Sequence, residues 1–560
     1  MTLKHLHGLP VVFEIDAPIL DDMTERERRL LTGALNFHAL MAPERELQVH
    51  LYEGSVETLP RTTDDSTFSG LSRGFRTRTG TFGIRSLVEA EGRAIGPGET
   101  AAQALIERSS RHLHISPDAV LAHDPIRPVR TDLVGRLARR VKSKTPLWYD
   151  EARDLAMLGD VTRLSTPAER QRYQDELSGP LAQPGAELVT VPPAPAGAPR
   201  AVLVGVHWFE LGGAERWAFE TIRLIKEAGF LPIVLSNRES QHPWVTRAEL
   251  DGALVIPFSE ATVDSQSLGV EQLLRSILRT FDIRGVVVHH NQWLYDRLAW
   301  IVRSRPGVPI VDSTHIVEYR GGGYPLSSVR VTESITKHHV ISPSLARWMT
   351  DVQGVPAEKV VMAPLGGLTI KPKDARFRGR GADEPFTVAF VGRIARQKAP
   401  EVFVAMARRI RAKRDDVRFV MHGDGELSSW LDDVIEGMGM TGLIERRTSK
   451  VPVPQTLGDS HVLVVSSHNE GLTLTTLEAI TEGVPVLSTD VGAQADVIPD
   501  YALVPRDVHR AVRHLADRVV NLADDEAARE ALWRRERKSE KKLLANTSAT
   551  EWFAKEIREW

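Results

Sequence analysis

Three stretches of this sequence combine residue types that can hold a doubly charged anion and act on what is attached to it. In Val391-Gly392-Arg393-Ile394-Ala395-Arg396-Gln397-Lys398-Ala399-Pro400, an apolar run ends in a loop with Arg393 and Lys398. Arginine offers a planar fork and lysine a point charge, which together suit a diphosphate. A solvated basic loop is the bland alternative. In Ser466-Ser467-His468-Asn469-Glu470-Gly471-Leu472-Thr473-Leu474-Thr475-Thr476-Leu477-Glu478-Ala479, Glu470 sits in a loop and Glu478 inside the helix that follows. A helix starting at about Leu472 points the N–H groups of Gly471, Leu472 and Thr473, and its dipole, at an anion. Glu478, two turns in, is placed to accept hydrogen bonds from a ribose diol. A helix-cap acid and a surface acid are the alternatives for the two glutamates. The third stretch is Glu210-Leu211-Gly212-Gly213-Ala214-Glu215. Two glycines between strand and helix let a ligand approach the backbone at a helix N-terminus, or simply make a tight turn.

Other nucleotide fingerprints are missing. There is no G-x-x-x-x-G-K-[ST], so a P-loop enzyme is disfavoured. The Gly212-Gly213 turn is not G-x-G-x-x-G. The next strand ends at Ser236-Asn237 without the acid that binds a ribose in NAD enzymes, which counts against a dehydrogenase.

The elements that must position these residues are legible. Ala201 to Val206 is a continuous apolar run, as expected of a strand buried on both faces. Helical stretches alternate with further runs at Pro232 to Leu235, Gly285 to Val288, Pro309 to Val311 and His339 to Ile341. A second series starts at Phe386 to Val391 and continues at Val417 to Met421, His461 to Val465 and Pro485 to Leu487. This predicts two doubly wound parallel-sheet domains, residues 201–370 and 385–525, facing a cleft. Lys371 to Glu384 is a polar connection. Helices close the chain over 526–560, with a capping box at Ser548 and Glu551 and with Phe553, Ile557 and Trp560 on one face. Before the first domain, Val191 to Pro199 reads as an extended Pro/Ala linker within residues 181–200. Residues 1–180 read as a mixed α/β accessory domain, with strands at Leu47 to Tyr52 and Phe82 to Val88. A helix opens at Thr166-Pro167-Ala168-Glu169 by a capping-box signal.

Taken in this order, Gly212-Gly213-Ala214-Glu215-Arg216, Gly392-Arg393 with Gln397-Lys398, Glu470 with Glu478, Val484-Pro485-Val486 and Val491-Gly492-Ala493 resemble the retaining GT-B glycosyltransferases of family 4. The resemblance covers residues 200 to 560. It implies an α/β GT-B fold of two Rossmann-like domains. It also implies metal-independent transfer of a sugar, with retention, from a nucleotide-diphosphate sugar (a UDP- or GDP-sugar) to an acceptor hydroxyl. By the same resemblance, Arg393 and Lys398 hold the diphosphate and Glu478 the ribose. Glu470, Gly471, Leu472 and Thr473 contact sugar and phosphate, and Gly212-Gly213 approaches from the other domain. A histidine of the first domain reaches the sugar: His315 in Asp312-Ser313-Thr314-His315 is preferred over His290. Two departures are visible: Ala363-Pro364-Leu365-Gly366-Gly367 replaces a Pro-Asn-Gly turn, and Ala399 stands where glycine is common. A nucleotide-sugar epimerase of the same fold and a non-catalytic sugar-nucleotide-binding scaffold are the competing readings.

Composition narrows the partners. The 560 residues carry 71 Lys+Arg against 74 Asp+Glu, a balance unlike that of a nucleic-acid binder. Cysteine is absent, so thiolate chemistry and disulfides are excluded. No metal site or cofactor is expected. No apolar run approaches a membrane span, and no leader is legible, so the expected location is cytoplasmic. The long N-terminal region suggests a macromolecular acceptor, protein or glycan. Arg136, Arg139, Arg140, Lys142 and Lys144, with Leu133, Leu137 and Val141 between them, predict a basic amphipathic helix. It fits either peripheral contact with an anionic membrane or a solvated helix packed on its own domain.

Overall fold

The computed structural model describes residues 3–15, 20–53, 59–63, 77–90, 108–115, 133–153, 164–170, 190–210, 212–259, 271–318, 322–366, 368 and 375–560. A hairpin of Lys4–Leu6 (β1) and Leu9–Val11 (β2) leads into a four-stranded sheet. That sheet is built from Phe13–Ile15 (β3), Glu46–Glu53 (β4), Thr77–Ser86 (β5) and Ser110–Ile115 (β6), in the order β3-β5-β4-β6. Between β3 and β4 runs the helix Glu25–Met41 (α1), which opens with a Thr24/Glu27 capping box.

The first parallel sheet has seven strands: Arg200–Val206 (β7), Leu231–Ser236 (β8), Leu254–Pro257 (β9), Asp282–His289 (β10), Ile310–Thr314 (β11), Lys337–Val340 (β12) and Val360–Met362 (β13). Their order is β13-β12-β11-β10-β7-β8-β9. The second has six: Phe386–Val391 (β14), Val417–His422 (β15), Ile444–Arg447 (β16), Val462–Val465 (β17), Val486–Thr489 (β18) and Leu503–Val504 (β19). Their order is β16-β15-β14-β17-β18-β19. In both, the order reverses beside the first strand of the domain, and a ligand of a doubly wound sheet binds at the carboxyl ends of the strands at such a point. Most residues of β7 and β14 are buried, as continuous apolar runs require. Short stretches such as β9, β13, β16 and β19 escape the sequence reading because two to four residues carry no period.

The C-terminal helices tie the two sheets together. Glu526–Leu544 lies on the second: Trp533 donates to Ile480 O at 2.8 Å, and Val486 N donates to Glu536. Ala549–Arg558 returns to the first, its Ser548/Glu551 capping box formed. Phe553 meets Trp217 at 5.0 Å, and the Trp560 ring covers Gly285. This return passes the Ala363-Pro364 turn, where Ala549 N donates to Pro364 O.

The N-terminal region is not a module on a free tether. Helix α1 is buried along most of its length and shares one apolar core with the first sheet. Phe37 stacks on Phe258 at 5.7 Å, Ser276 donates to Leu40 O, and Arg29 pairs with Asp251 at 2.5 Å. The Pro/Ala stretch turns at Pro195–Ala198 and is docked, with Val191 buried and its carbonyl held by Arg305 at 2.7 Å. The described residues of Thr166–Arg170 are not helical, contrary to the capping-box signal. Their backbone partners come from the first domain instead: Gln353 accepts from Ala168 N and donates to Thr166 O, and Arg170 donates to Val329 O. The basic helix forms over Leu133–Lys144, and it packs on the helix Ser428–Gly437 of the second domain. Lys142 lies over the Trp430 ring at 5.2 Å, and Leu133 and Leu137 are exposed. The side chains of Arg136 and Arg139 lie outside the described residues. Residues 371–374 of the polar connection do as well. Among the described residues no helix is long and apolar enough to cross a membrane.

The docking of α1 is testable at Gly33, where an added Cβ would lie 2.5 Å from the Pro257 ring. Gly33→Val should destabilise the chain by about 1–3 kcal/mol through overpacking. The check is the urea midpoint, and an unchanged midpoint would mean that α1 does not seat on β9.

Candidate functional site

The carboxyl ends of the two sheets meet at a narrow cleft. An added Cβ on Gly471 would lie 2.1 Å from the His315 carbonyl oxygen, so only glycine permits this approach of the two domains. From the first domain, Gly212 caps the helix Gly213–Glu227 (α2), and the face of Gly213 lies against Leu474. From the second, Thr473 caps the helix Leu474–Thr481 (α3), its hydroxyl accepting from Thr476 N. This helix therefore starts two residues later than the expected Leu472, because the Thr473 side chain supplies a cap. Two helix N-termini, one from each domain, converge on the same space, where both dipoles favour negative charge.

Cations and carboxylates alternate around that space. Lys398 donates to Glu470 at 2.5 Å, and the same carboxylate oxygen accepts from Ser467 at 2.6 Å. Arg216 of α2 lies 3.8 Å from Glu478 of α3, across the cleft. Arg393 lies 3.6 Å from Glu210, also across the cleft. Glu470 and Glu478 are buried, whereas Arg216 and Arg393 remain partly exposed. Burial raises the Glu210 carboxyl above its ordinary range, although Ser240 and Arg393 act in the other direction. The loop bearing Arg393 rests on Gly423, whose φ is +145° and where a Cβ would lie 1.9 Å from Gly392 O. Ile394 N donates to Asp424 O at 2.9 Å. Glu210, Gly423 and Asp424 were not singled out from the sequence. Gly423-Asp424-Gly425 directly after a strand was the available signal; nothing local marks Glu210.

The histidines gather on the first-domain wall. His315 follows β11 and His290 follows β10, with ring centroids 4.8 Å apart. His290 has a φ of +54° and stacks on Tyr324 at 5.0 Å. His315 Nε2 lies 3.1 Å from Ser313 Oγ, which also meets His339 and Trp217. The His315 Nδ1 is buried with no hydrogen-bond partner among the described residues. Burial, and then the neighbouring histidines, hold His315 well below the ordinary range, so the ring is neutral at physiological pH. His290 falls to about 4, again chiefly through burial.

Glu215, one residue before Arg216, is buried against His207 at 3.1 Å and accepts from Trp208 at 2.7 Å. Burial acts to raise its pKa. The His207 hydrogen bond and charge outweigh that and bring it to about 2.

The family model described as Glycosyl transferases group 1 matches residues 385–525. The chain is 30% identical over 332 residues to a D-inositol 3-phosphate glycosyltransferase of Nocardia farcinica, covering 52% of this chain and 73% of that one. It is 29% identical over 250 residues to an alpha-D-kanosaminyltransferase of Streptomyces kanamyceticus, covering 40% and 64%. A solved structure of HepE from Anabaena in complex with UDP overlays 64% of this chain and 98% of that one, at 13% identity and a TM-score of 0.47. The chain belongs to the glycosyl transferases group 1 family. It is a glycosyltransferase, and its paired sheets around one cleft have the GT-B architecture.

Because the Glu215 pKa is depressed in the folded state, its contribution to stability is full above the ordinary glutamate range near about 4.3 and is lost as the pH falls toward 2. Glu215→Gln should cost about 1–3 kcal/mol at pH 7, and the difference from the unaltered protein should shrink as the pH falls. Urea unfolding at several pH values reads this; a difference independent of pH would contradict the assignment.

Proposed function

We propose that this glycosyltransferase takes its sugar from a nucleotide-diphosphate sugar, a UDP- or GDP-sugar, and transfers it with retention to a hydroxyl of a protein or glycan acceptor. The observation that carries the reading is the convergence of two helix N-termini with Arg393 and Lys398 at one point of the cleft. Such a site suits a diphosphate more than any neutral ligand. In this reading Arg393, Lys398 and the N–H groups of Gly471, Leu472 and Thr473 hold the diphosphate, and Gly212-Gly213 lets it approach α2. Glu478 accepts from the ribose hydroxyls, with Arg216 holding its carboxylate in place. His315 presents its unpartnered Nδ1 to the transferred sugar, and Glu470 orients that sugar.

The reaction breaks the bond between the anomeric carbon and the phosphate oxygen. The electron pair goes to the leaving diphosphate, where fixed cations and helix dipoles stabilise it without reorganisation. The acceptor oxygen bonds to the anomeric carbon on the same face, and its proton passes to the departing phosphate oxygen. In this proposal the protein's own cations perform the charge stabilisation, so no metal is required. Glu470, already paired with Lys398, acts as an electrostatic and orienting group rather than a nucleophile.

A panel of nucleotide sugars, assayed for release of nucleoside diphosphate with and without acceptor, tests the reading. D-inositol 3-phosphate belongs among the acceptors because relatives carry that name. Turnover confined to small acceptors would replace the macromolecular one. Interconversion of the donor without acceptor would favour an epimerase, and binding without turnover a scaffold. Lys398→Ala should weaken nucleoside diphosphate binding by about 1.5–3 kcal/mol; unchanged affinity by calorimetry would sink the diphosphate assignment. The two acids should separate. Glu478→Gln should act mainly on donor KM, and Glu470→Gln mainly on kcat, because its partner charge develops in the transition state. Equal effects on KM with kcat intact would refute that division.

A further inference from the structure

The N-terminal region reaches the second domain at a point that bears on the donor loop. The helical turn 146–153 is anchored there by Glu151, which pairs with His509, and by Trp148, whose ring lies 4.7 Å from that of His509. Between them and the domain core, the fully buried Asp150 ion-pairs with Arg396. The Arg396 guanidinium lies 5.3 Å from the Tyr149 ring and 5.6 Å from the Trp430 ring, and 3.3 Å from Glu401. His468 Nε2 completes the cluster, 3.5 Å from Glu401 and 3.8 Å from Asp150. Asp150, Glu401 and His468 approach one another within 4.8 Å, as metal ligands would. Here, however, a guanidinium already stands between the carboxylates. Burial favours a neutral Glu401, yet the neighbouring His468 and the Arg396 charge prevail and lower its pKa.

This cluster sits directly behind the donor loop. Arg396 opens the turn Arg396–Lys398, and His468 lies two residues before Glu470. The two loops are joined by Gln397 Nε2 to Asn469 O and by His468 N to Gln397 O, each at 2.9 Å. The turn ends at Ala399 with φ +45°, a left-handed conformation that an alanine does not favour. The loop therefore needs outside support to keep Arg393 and Lys398 in place.

We propose that Asp150, supplied by the N-terminal region, is a positioning residue for donor binding: through Arg396 it holds the loop that presents Arg393 and Lys398. The proposal rests on the donor reading given above. Calorimetry on the full-length chain with UDP and with GDP tests it. Asp150→Asn should weaken binding of the preferred nucleotide at least fivefold. With the active sugar nucleotide it should raise KM by a similar factor while kcat changes less than threefold. Glu151→Gln loosens the same turn without touching Arg396 and should change affinity less than twofold. If Asp150→Asn does not fold, Arg396→Lys serves instead: it keeps the charge and removes the fork, and the same loss is expected. Affinity within twofold of the unaltered protein overturns the proposal, and so does an equal loss in Glu151→Gln. Lys398→Ala, run alongside, separates the two readings. If it weakens binding while Asp150→Asn does not, only this inference fails; if it has no effect either, the donor reading fails and this one with it.

Discussion

The separation of the two parallel sheets is set where the backbone of Gly471 meets the carbonyl of His315. A side chain at this point would hold the domains apart. With hydrogen there, the loop after β17 reaches the wall of the first domain, and everything that could act on a ligand falls within one narrow space. The pairing of charges depends on the same approach. Arg216 and Glu478 belong to different domains, as do Arg393 and Glu210, and neither pair exists unless the cleft is closed. The convergence of the two helix N-termini is a further consequence, since one is capped by Gly212 and the other by Thr473.

Around this cleft the balance of charge is nearly even, which has a chemical meaning. A cleft of uncompensated cations would be costly to bury and would attract any anion. Here each cation already faces a carboxylate, at 2.5 to 3.8 Å. An anion that replaces these partners must offer more than one charge and match the geometry of two helix ends. A diphosphate meets both conditions, and in the proposed reading this would be a source of selectivity as well as of affinity. The neutral histidines on the opposite wall add polarity without net charge.

The N-terminal third embraces both domains. Helix α1 seats on the outer strand of the first sheet, the turn 146–153 touches the second domain behind the loop of Arg393 and Lys398, and residues 164–170 return to the first. A segment attached at three places on two bodies restrains their relative motion, and motions of this kind commonly govern entry and release in two-domain enzymes. The exposed Leu133 and Leu137 lie on the same segment, on the helix that sits on the second domain.

The sequence by itself determined the two doubly wound domains, because buried parallel strands must be continuous apolar runs, and those runs recur with helices between them. It also marked the local turns on which the proposed donor site draws: paired glycines before a helix, basic residues after a strand, and two acids eight positions apart are all short-range patterns. Tertiary structure decided the rest. Glu210 and Arg216 face their partners only after some 180 to 260 residues of chain have folded between them, and no local pattern marks such a pair. Thr166–Arg170 shows the converse. Its local signal was that of a helix start, yet Gln353 offered the backbone better-placed partners and the described residues are not helical. The Pro/Ala stretch likewise has a linker's composition, but its position is fixed by Arg305, more than a hundred residues away. Composition describes what a segment can do alone; which surface it meets is a property of the assembled chain.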